Sequence, residues 1–223
     1  MKTWKYTWMI VTLLALLPLL PIVGLMEIEF DGLLPVIRME SLTLPSHDGG
    51  IARQVSGVNL GLHTTGEWAI RWLVVVLSCT PVCILTGIKS RITTRQAMGI
   101  TAFVYGALHY LFFLIQRGLP ETFVEVNFIL GLIAVFIMLP LALTSNRKAL
   151  RFMRKKWKKL HRLAYFAGSL AVLHVAILGK GDWIPYAIIL GIGFILRIPS
   201  VKENITTFRI SISSGRMIRR ATL

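Results

Sequence analysis

Six long apolar runs constrain the fold of this chain more than any other feature. They cover about residues 7–25, 67–88, 97–116, 126–144, 162–179 and 183–199. A helix needs about 20 apolar residues to cross the hydrocarbon core of a bilayer, and four runs come close to this length or exceed it, whereas the last two are short. We therefore predict an all-α fold, a six-helix transmembrane bundle.

The first run has a second interpretation, because Lys2 and Lys5 precede it as basic residues precede the apolar core of a signal peptide. No small-residue cleavage site follows this run. Pro18 and Pro21 near its end are better explained as a kink in a helix. We expect a retained helix.

Charge is distributed unevenly over the segments between the runs. Lys and Arg dominate the 89–95 and 145–161 loops and the C-terminal tail, whereas Asp and Glu dominate the 26–65 and 117–125 loops. An excess of Lys and Arg marks the cytoplasmic side of a membrane protein. We therefore expect both termini in the cytoplasm, which agrees with an even number of spans.

Three regions follow from this organisation. Residues 1–62 hold the first helix and a long periplasmic loop, 63–200 hold the main transmembrane domain, and 201–223 form a basic cytoplasmic tail. The loop is rich in Gly, Pro and Ser, and Leu33, Leu34, Val36 and Ile37 could place part of it on the outer surface. The sequence shows no evident internal repeat.

The formal net charge of +15 does not indicate nucleic-acid binding. The basic residues lie between the apolar runs and in the tail, where membrane topology requires them. Cys79 and Cys83 lie four residues apart inside an apolar run and are expected to pack as small side chains.

Two histidines within the spans are the candidate metal ligands. His109 lies about twelve residues into the third run and His174 about thirteen into the fifth, counted from the cytoplasmic side. Both should sit ~18–20 Å above that side at 1.5 Å per residue. Gly, Tyr and Phe residues surround both positions. Two imidazoles at one depth with such neighbours suit the iron of a haem, although a structural hydrogen bond between helices is the alternative.

Several other polar residues have more than one interpretation. His161 lies thirteen residues before His174, which turns the two side chains about 140° apart on a straight helix. It is either an inner haem contact or an interfacial residue in a basic patch. Arg71 needs an anion, for which a haem propionate is one candidate, or it reaches the outer headgroups. His63 lies at the outer end of the second predicted span, and His47 is expected to be solvated.

Several short motifs occur in a specific order over about residues 63–178: HTTGEWAIRW, LSCTP, RQAMG, ALH, LALTS and KWKKLHRLAYF. In this order and spacing they resemble the ferric-reductase-like transmembrane family. Within that family they are similar to the haem-binding membrane subunits of the periplasmic methionine sulfoxide reductase system. The long outer loop and the first run depart from the family pattern.

The resemblance implies six helices, b-type haem and flavin mononucleotide (FMN) in a bacterial inner membrane protein. It assigns His109 and His174 as axial ligands of the haem iron and associates His161 with haem binding. Electrons would pass from the quinone pool or a cytosolic flavin reductase to a periplasmic molybdopterin reductase of the MsrP-like type. A second haem lacks an obvious ligand, because Arg95 and Gln96 occupy the matching inner position of the third run.

The activity expected is that of an electron-transfer subunit of an oxidoreductase complex. Only about 24 residues follow the last run, too few for a flavin domain and a nicotinamide domain, so the electron donor should be separate. Two alternatives remain: a ferric or other metal reductase subunit, and a transporter or scaffold without haem. The basic inner face either docks an acidic donor or a flavin phosphate, or serves topology alone.

Overall fold

The computed structural model describes residues 7–31, 34–44, 53–88, 90–179 and 183–221. The first apolar run forms helix α1 (Thr7–Leu16), a 3₁₀ turn (Leu17–Leu19) and helix α2 (Leu20–Gly24). A 3₁₀ turn interrupts the helix where Pro18 and Pro21 occur, since neither residue has an N–H for the helical hydrogen bond. The helix is therefore interrupted at the prolines, where a kink was expected.

Two β-hairpins occupy the segment that the sequence indicated as a loop. Strands β1 (Met26–Asp31) and β2 (Leu34–Met39) pair antiparallel, and so do β3 (Ser41–Leu44) and β4 (Arg53–Ser56). The all-α prediction missed them. The signal was present in β1, where apolar Met, Ile and Phe alternate with Glu, Glu and Asp, the period of a strand.

Four spans form the bundle: α3 (Gly57–Thr86), α4 (Ile92–Arg117), α5 (Val126–Leu143) and the pair α7 (Lys155–His161) and α8 (Leu163–Ile177). Within the described ranges these four are long and apolar enough to cross a membrane. A 3₁₀ turn (Pro120–Phe123) precedes α5, and a short helix α6 (Arg147–Met153) precedes α7. The chain is thus a multi-pass membrane protein. Because α3 begins at Gly57, the expected boundary between residues 62 and 63 falls inside a helix.

The helix that the sixth run forms is shorter than the predicted span 183–199. Helix α9 (Trp183–Ile195) is followed by α10 (Pro199–Ala221), and the two are bent by 81° at the break between them. Together they would make a fifth span by composition. The basic tail is therefore largely helical, a feature that the sequence analysis did not predict. Residues 180–182, between the fifth and sixth runs, lie outside the described residues.

The helices pack as two neighbouring hairpins, α3 with α4 and α5 with α8, and α9 lies against α3 and α8. The buried core lies where these elements meet. It consists of Ile70, Leu73, Val74, Leu77, Ala102, Met138, Ala167 and Leu190. Many large apolar side chains on the outside of the bundle are exposed, as expected for a surface that faces lipid tails.

A proline inside α3 creates a buried polar group that a distant residue satisfies. Pro81 has no N–H, so the carbonyl of Leu77 four residues earlier loses its helical donor. The guanidinium of Arg197, just after α9, donates to this carbonyl with its Nη2 atom at 2.5 Å. The same guanidinium lies 4.7 Å from the ring centre of Tyr165 on α8. Arg197 thereby ties α3, α8 and the end of α9 together.

Candidate metal centre between two helical hairpins

His109 on α4 is held in place by two features of α3. Its Nδ1 atom lies 2.8 Å from the carbonyl oxygen of Leu62. Its ring packs against Gly66, one turn further along α3, so closely that a Cβ atom at residue 66 would lie 2.8 Å from ring atoms. The absence of a side chain at Gly66 is therefore what admits the ring.

His174 on α8 is held in the same way by α5. Its Nδ1 atom lies 2.6 Å from the carbonyl oxygen of Asn127. Its ring packs against Gly131, where a Cβ atom would lie 3.2 Å from ring atoms. Each histidine is thus anchored by the partner helix of its own hairpin.

The two anchors repeat at one fixed spacing along the chain. Each histidine follows its carbonyl partner by 47 residues, and in each case the glycine lies one helical turn after that carbonyl. The two hairpins run in the same direction, as parallel internal repeats do in some membrane proteins. The sequence analysis found no repeat, because only a carbonyl position, a glycine and a histidine recur. The signal available was the glycine-to-histidine spacing, which is identical in both halves.

The carbonyl contacts determine the tautomer of both rings. A carbonyl oxygen only accepts, so Nδ1 of each imidazole donates its proton and the lone pair lies on Nε2. A neutral imidazole binds a metal through that lone pair, and a hydrogen bond from the other nitrogen fixes the ring orientation and raises its basicity. Both histidines therefore have the protonation pattern of metal ligands.

The two rings approach each other to a distance that fits one metal ion between them. Their centres lie 6.3 Å apart and their planes are inclined by 77°. An imidazole nitrogen binds a metal at about 2 Å and the ring centre lies about 1 Å behind it, so two imidazoles on opposite sides of one ion place their centres about 6 Å apart.

The remaining ligands of such an ion must come from elsewhere. Among the described residues, no group of three or more His, Cys, Asp or Glu side chains is arranged to hold a metal. A haem supplies four porphyrin nitrogens and leaves two axial positions, which is the complement of two facing imidazoles. The pair therefore fits a haem better than an isolated metal ion.

A cavity of about 440 Å³ surrounds the two histidines. Its walls come from α3, α4, α5, α8 and α9, and small residues recur in them, which leaves room for a flat ligand. The small lining residues are Gly66, Ala69, Ala102, Gly106, Gly131, Ala134 and Ala171. Leu73, Phe113, Phe128, Val135, Met138 and Val175 supply apolar contacts. The lining also includes polar residues, among them His63, Glu67, Arg71 and Tyr110.

Arg71 already has an anionic neighbour, Glu67, which the sequence analysis overlooked. Its Nη2 atom lies 2.8 Å from Oε2 of Glu67, and the two side chains are 44% and 54% exposed. Its guanidinium also lies 5.1 Å from the ring centre of Trp68. The side chains of Glu67 and Arg71 both line the cavity around the histidines, so the Arg71 guanidinium can also bind an anionic group of a ligand there. The four-residue spacing of Glu67 and Arg71 was the available signal.

His161 is not among the residues that line the cavity. Its Nε2 atom lies 3.1 Å from Oγ1 of Thr144, and its ring stacks on Trp157 with 3.8 Å between centres. The Thr144 hydroxyl donates to the carbonyl of Pro140, so His161 donates from Nε2, the opposite tautomer to that of the facing pair. The structure thus places His161 apart from His109 and His174.

The remaining candidates are less informative. His63 lines the cavity, and His47 lies outside the described residues. Cys79 and Cys83 are free thiols. The sulfur of Cys83 accepts hydrogen bonds from the backbone N–H of Ser90 and from Arg95, which links the end of α3 to the start of α4.

Comparison with known proteins agrees with this geometry. Residues 65–172 match the model of the family described as ferric reductase like transmembrane component. The resemblance to that family is confirmed. The matched segment includes His109, and His174 lies two residues beyond its end.

Curated relatives of the chain include proteins named protein-methionine-sulfoxide reductase heme-binding subunit MsrQ. The protein from Brucella anthropi is 33% identical over 128 residues, which cover 54% of this chain and 57% of that protein. The protein from Xanthomonas euvesicatoria pv. vesicatoria is 36% identical over 127 residues, which cover 54% and 58%. The chain thus spans less than two thirds of the length of these relatives. No solved structure matches it.

Proposed function

We propose that the chain is a membrane haem protein that carries electrons from one side of the bilayer to the other. The observation that supports this most directly is the facing pair His109 and His174, with ring centres 6.3 Å apart and both Nδ1 atoms on backbone carbonyls. The curated relatives named as heme-binding subunits support the same assignment.

In this proposal a bound haem would supply the ferric/ferrous redox couple, which carries one electron at a time. His109 and His174 would hold the haem iron, each through the lone pair on Nε2. The carbonyls of Leu62 and Asn127 keep each imidazole in the metal-binding tautomer and strengthen it as a ligand. The apolar cavity wall limits water and so helps to set the reduction potential.

Arg71 completes the proposed haem site. Its side chain lines the same cavity as the histidines and has a carboxylate partner that is half exposed. A haem propionate that entered the cavity beside it would offer a second carboxylate of the same charge. We propose that the Arg71 guanidinium binds this propionate, alone or together with its contact to Glu67.

The electron donor and acceptor are proposed from the name that the relatives carry. We propose that electrons enter from membrane quinol or a flavin reductase and leave to a periplasmic molybdopterin reductase of the MsrP-like type. Support comes from the name of the relatives, which places them in a methionine sulfoxide reductase system.

The haem is proposed to be of the b type, since covalent attachment would need cysteines beside the haem, and Cys79 and Cys83 lie at the other end of α3.

We further propose that the basic face lies in the cytoplasm of a bacterial inner membrane, with six crossings and both termini inside. Basic residues of α6, α7 and the break between them form this face together with the start of α4. A flavin phosphate, as in FMN, is the ligand class that its charge favours. His161, stacked on Trp157 at this face, is a candidate contact for such a flavin.

A metal reductase subunit is the second candidate, favoured by the description of the matching family. It shares the haem pair and differs only in the acceptor. Reduced protein would be reoxidised by a ferric chelate alone in that case. Under the leading proposal, reoxidation needs the molybdopterin reductase and methionine sulfoxide. A transporter or scaffold would be colourless.

The deciding experiment is optical and electron paramagnetic resonance spectroscopy of the purified protein. We expect dithionite-reducible b-type bands and a low-spin ferric signal. His109→Ala and His174→Ala should each abolish the low-spin signal, because one axial ligand is lost. His161→Ala serves as the matched control and should retain it. A low-spin signal that survived in either of the first two variants would remove that histidine from the site.

A further inference from the structure

A second cavity, of about 590 Å³, lies apart from the histidine pair. α4 forms its long wall, about one turn of the first helical segment lines it near Tyr105, and the connection between α5 and α6 also contributes to the lining. Its lining consists of Ala15, Leu16, Leu19, Thr93, Gln96, Ala97, Ile100, Thr101, Val104, Tyr105, Ser145, Asn146 and Arg147. It shares no residue with the cavity around His109 and His174.

The cavity is an elongated groove that runs along α4. Its lining residues on that helix recur every three or four positions from Thr93 to Tyr105, so they share one face. This stretch covers about 18 Å at 1.5 Å per residue, a distance comparable to an extended acyl chain. At the far end the Tyr105 hydroxyl donates to the carbonyl of Ala15 and fastens the first helical segment to α4.

Polarity changes along the groove. Leu19, Ile100 and Val104 line the part that lies deeper along α4, whereas Thr93 and Arg147 line the end near the start of α4. Arg147 is exposed and begins α6. An apolar groove with a basic mouth suits an amphiphile with an anionic head.

Gln96 provides an independent sign of a ligand. Its side chain lines the groove and is only 8% exposed. Its amide nitrogen Nε2 is buried and has no hydrogen-bond partner among the residues that the structure describes. Buried donors are almost always paired in native proteins. The missing partner would be an acceptor oxygen about one helical turn inside the groove mouth.

We infer that this groove binds one phospholipid with an anionic headgroup. The phosphate lies at Arg147, an ester carbonyl oxygen accepts from Nε2 of Gln96, and an acyl chain runs along Ile100 and Val104. The three chemical parts of the lipid occur in the same order as the three parts of the groove. The inference does not depend on the haem proposal, since the two cavities have no residue in common.

Native mass spectrometry of the full chain, released from nanodiscs of defined lipid, tests this inference. With phosphatidylglycerol we expect one lipid per chain that survives gentle activation, and at least tenfold weaker retention with phosphatidylcholine. Gln96→Leu and Arg147→Gln should each reduce retention of phosphatidylglycerol about tenfold. Ile100→Trp should abolish it by filling the groove, without touching either polar contact.

Matched controls separate the groove from the general basic surface. Arg151→Gln removes a charge from the same helix as Arg147, and Gln116→Leu removes an exposed amide from α4; neither residue lines the groove. Both variants should retain phosphatidylglycerol as the unmodified chain does. Equal retention in the groove variants and the controls would overturn the inference. So would the recovery of a quinone or another isoprenoid, rather than phospholipid, from the chain purified from native membranes.

Discussion

At the residue scale, two glycines determine whether the imidazoles can face each other. A Cβ atom at residue 66 would lie 2.8 Å from the ring of His109, and one at residue 131 would lie 3.2 Å from the ring of His174. The first contact is shorter than real Cβ contacts allow, whereas the second needs a shift of a few tenths of an ångström. The site should therefore tolerate an added side chain at residue 131 better than one at residue 66.

We predict that Gly66→Ala reduces the ratio of haem to protein more strongly than Gly131→Ala does. The added methyl group pushes the His109 ring away from the carbonyl of Leu62 and so disturbs its ligand geometry. Gly99→Ala, within α4, is the control, because a Cβ atom there meets nothing within 4 Å. Pigment content and the low-spin signal measure the effect. An unchanged signal in Gly66→Ala would contradict the packing argument.

The two histidines of the pair could be found from the sequence, and the contacts that orient them could not. Their positions along two apolar runs already indicated a shared depth. The carbonyl of Leu62 carries no sequence signal, because every residue has a carbonyl. The pairing of Glu67 with Arg71 was visible as a four-residue spacing, although the anion predicted for Arg71 was a haem propionate or a lipid headgroup.

At the element scale, Pro81 and Arg197 act as a pair although they are far apart in the chain. The proline leaves the carbonyl of Leu77 without a helical donor, and the arginine supplies one. This contact joins the middle of α3 to the end of α9, where the chain bends by 81° into α10. A short α9 is tolerated because Arg197 reaches into the bundle from its end.

We predict that Arg197→Leu lowers the free energy of unfolding by about 2 kcal/mol, the cost of a buried carbonyl without a donor. In a Pro81→Ala background the cost should be about 1 kcal/mol smaller, since that substitution restores a backbone N–H for the carbonyl of Leu77. Lys202→Leu, an exposed position on α10, should change little. Thermal unfolding in detergent measures all four variants. Equal costs in both backgrounds would show that the arginine acts independently of the proline.

The elements differ in how well their sequences predict them. α5 was predicted to within one residue, because its apolar run has the length of the helix, whereas α4 begins five residues before its apolar run. The β-hairpins were missed because Gly and Pro suggested a loop, whereas alternation in Met26–Asp31 indicated a strand. α10 was missed because its mean hydropathy is low, although Val201, Ile205, Phe208 and Ile212 recur with helical spacing.

At the scale of the whole molecule, charge should determine how the bundle sits in the membrane. The end of α3, the start of α4 and helices α6 and α7 share one face, and that face carries most of the basic residues of the loops. The 3₁₀ turn Pro120–Phe123, between α4 and α5, lies at the opposite face with Glu121. From the positive-inside rule we predict that the first face lies in the cytoplasm.

We predict that a membrane-impermeant maleimide labels Glu121→Cys in intact spheroplasts and does not label Lys148→Cys. Both variants are made in a Cys79→Ser, Cys83→Ser background, because these are the two cysteines of the chain. Opening the membrane should expose Lys148→Cys to the reagent and serves as the control. The reverse pattern would invert the topology and move the basic face outside.

The repeated anchor has a consequence for assembly. The carbonyl and glycine that hold each imidazole come from the same hairpin as the histidine, so each half of the chain contains the contacts that orient its own ligand. Two polypeptides produced by cutting the connection between α4 and α5 should therefore still associate around a shared porphyrin. A bound cofactor would then link the two separately folded fragments, because each fragment contributes one histidine to it.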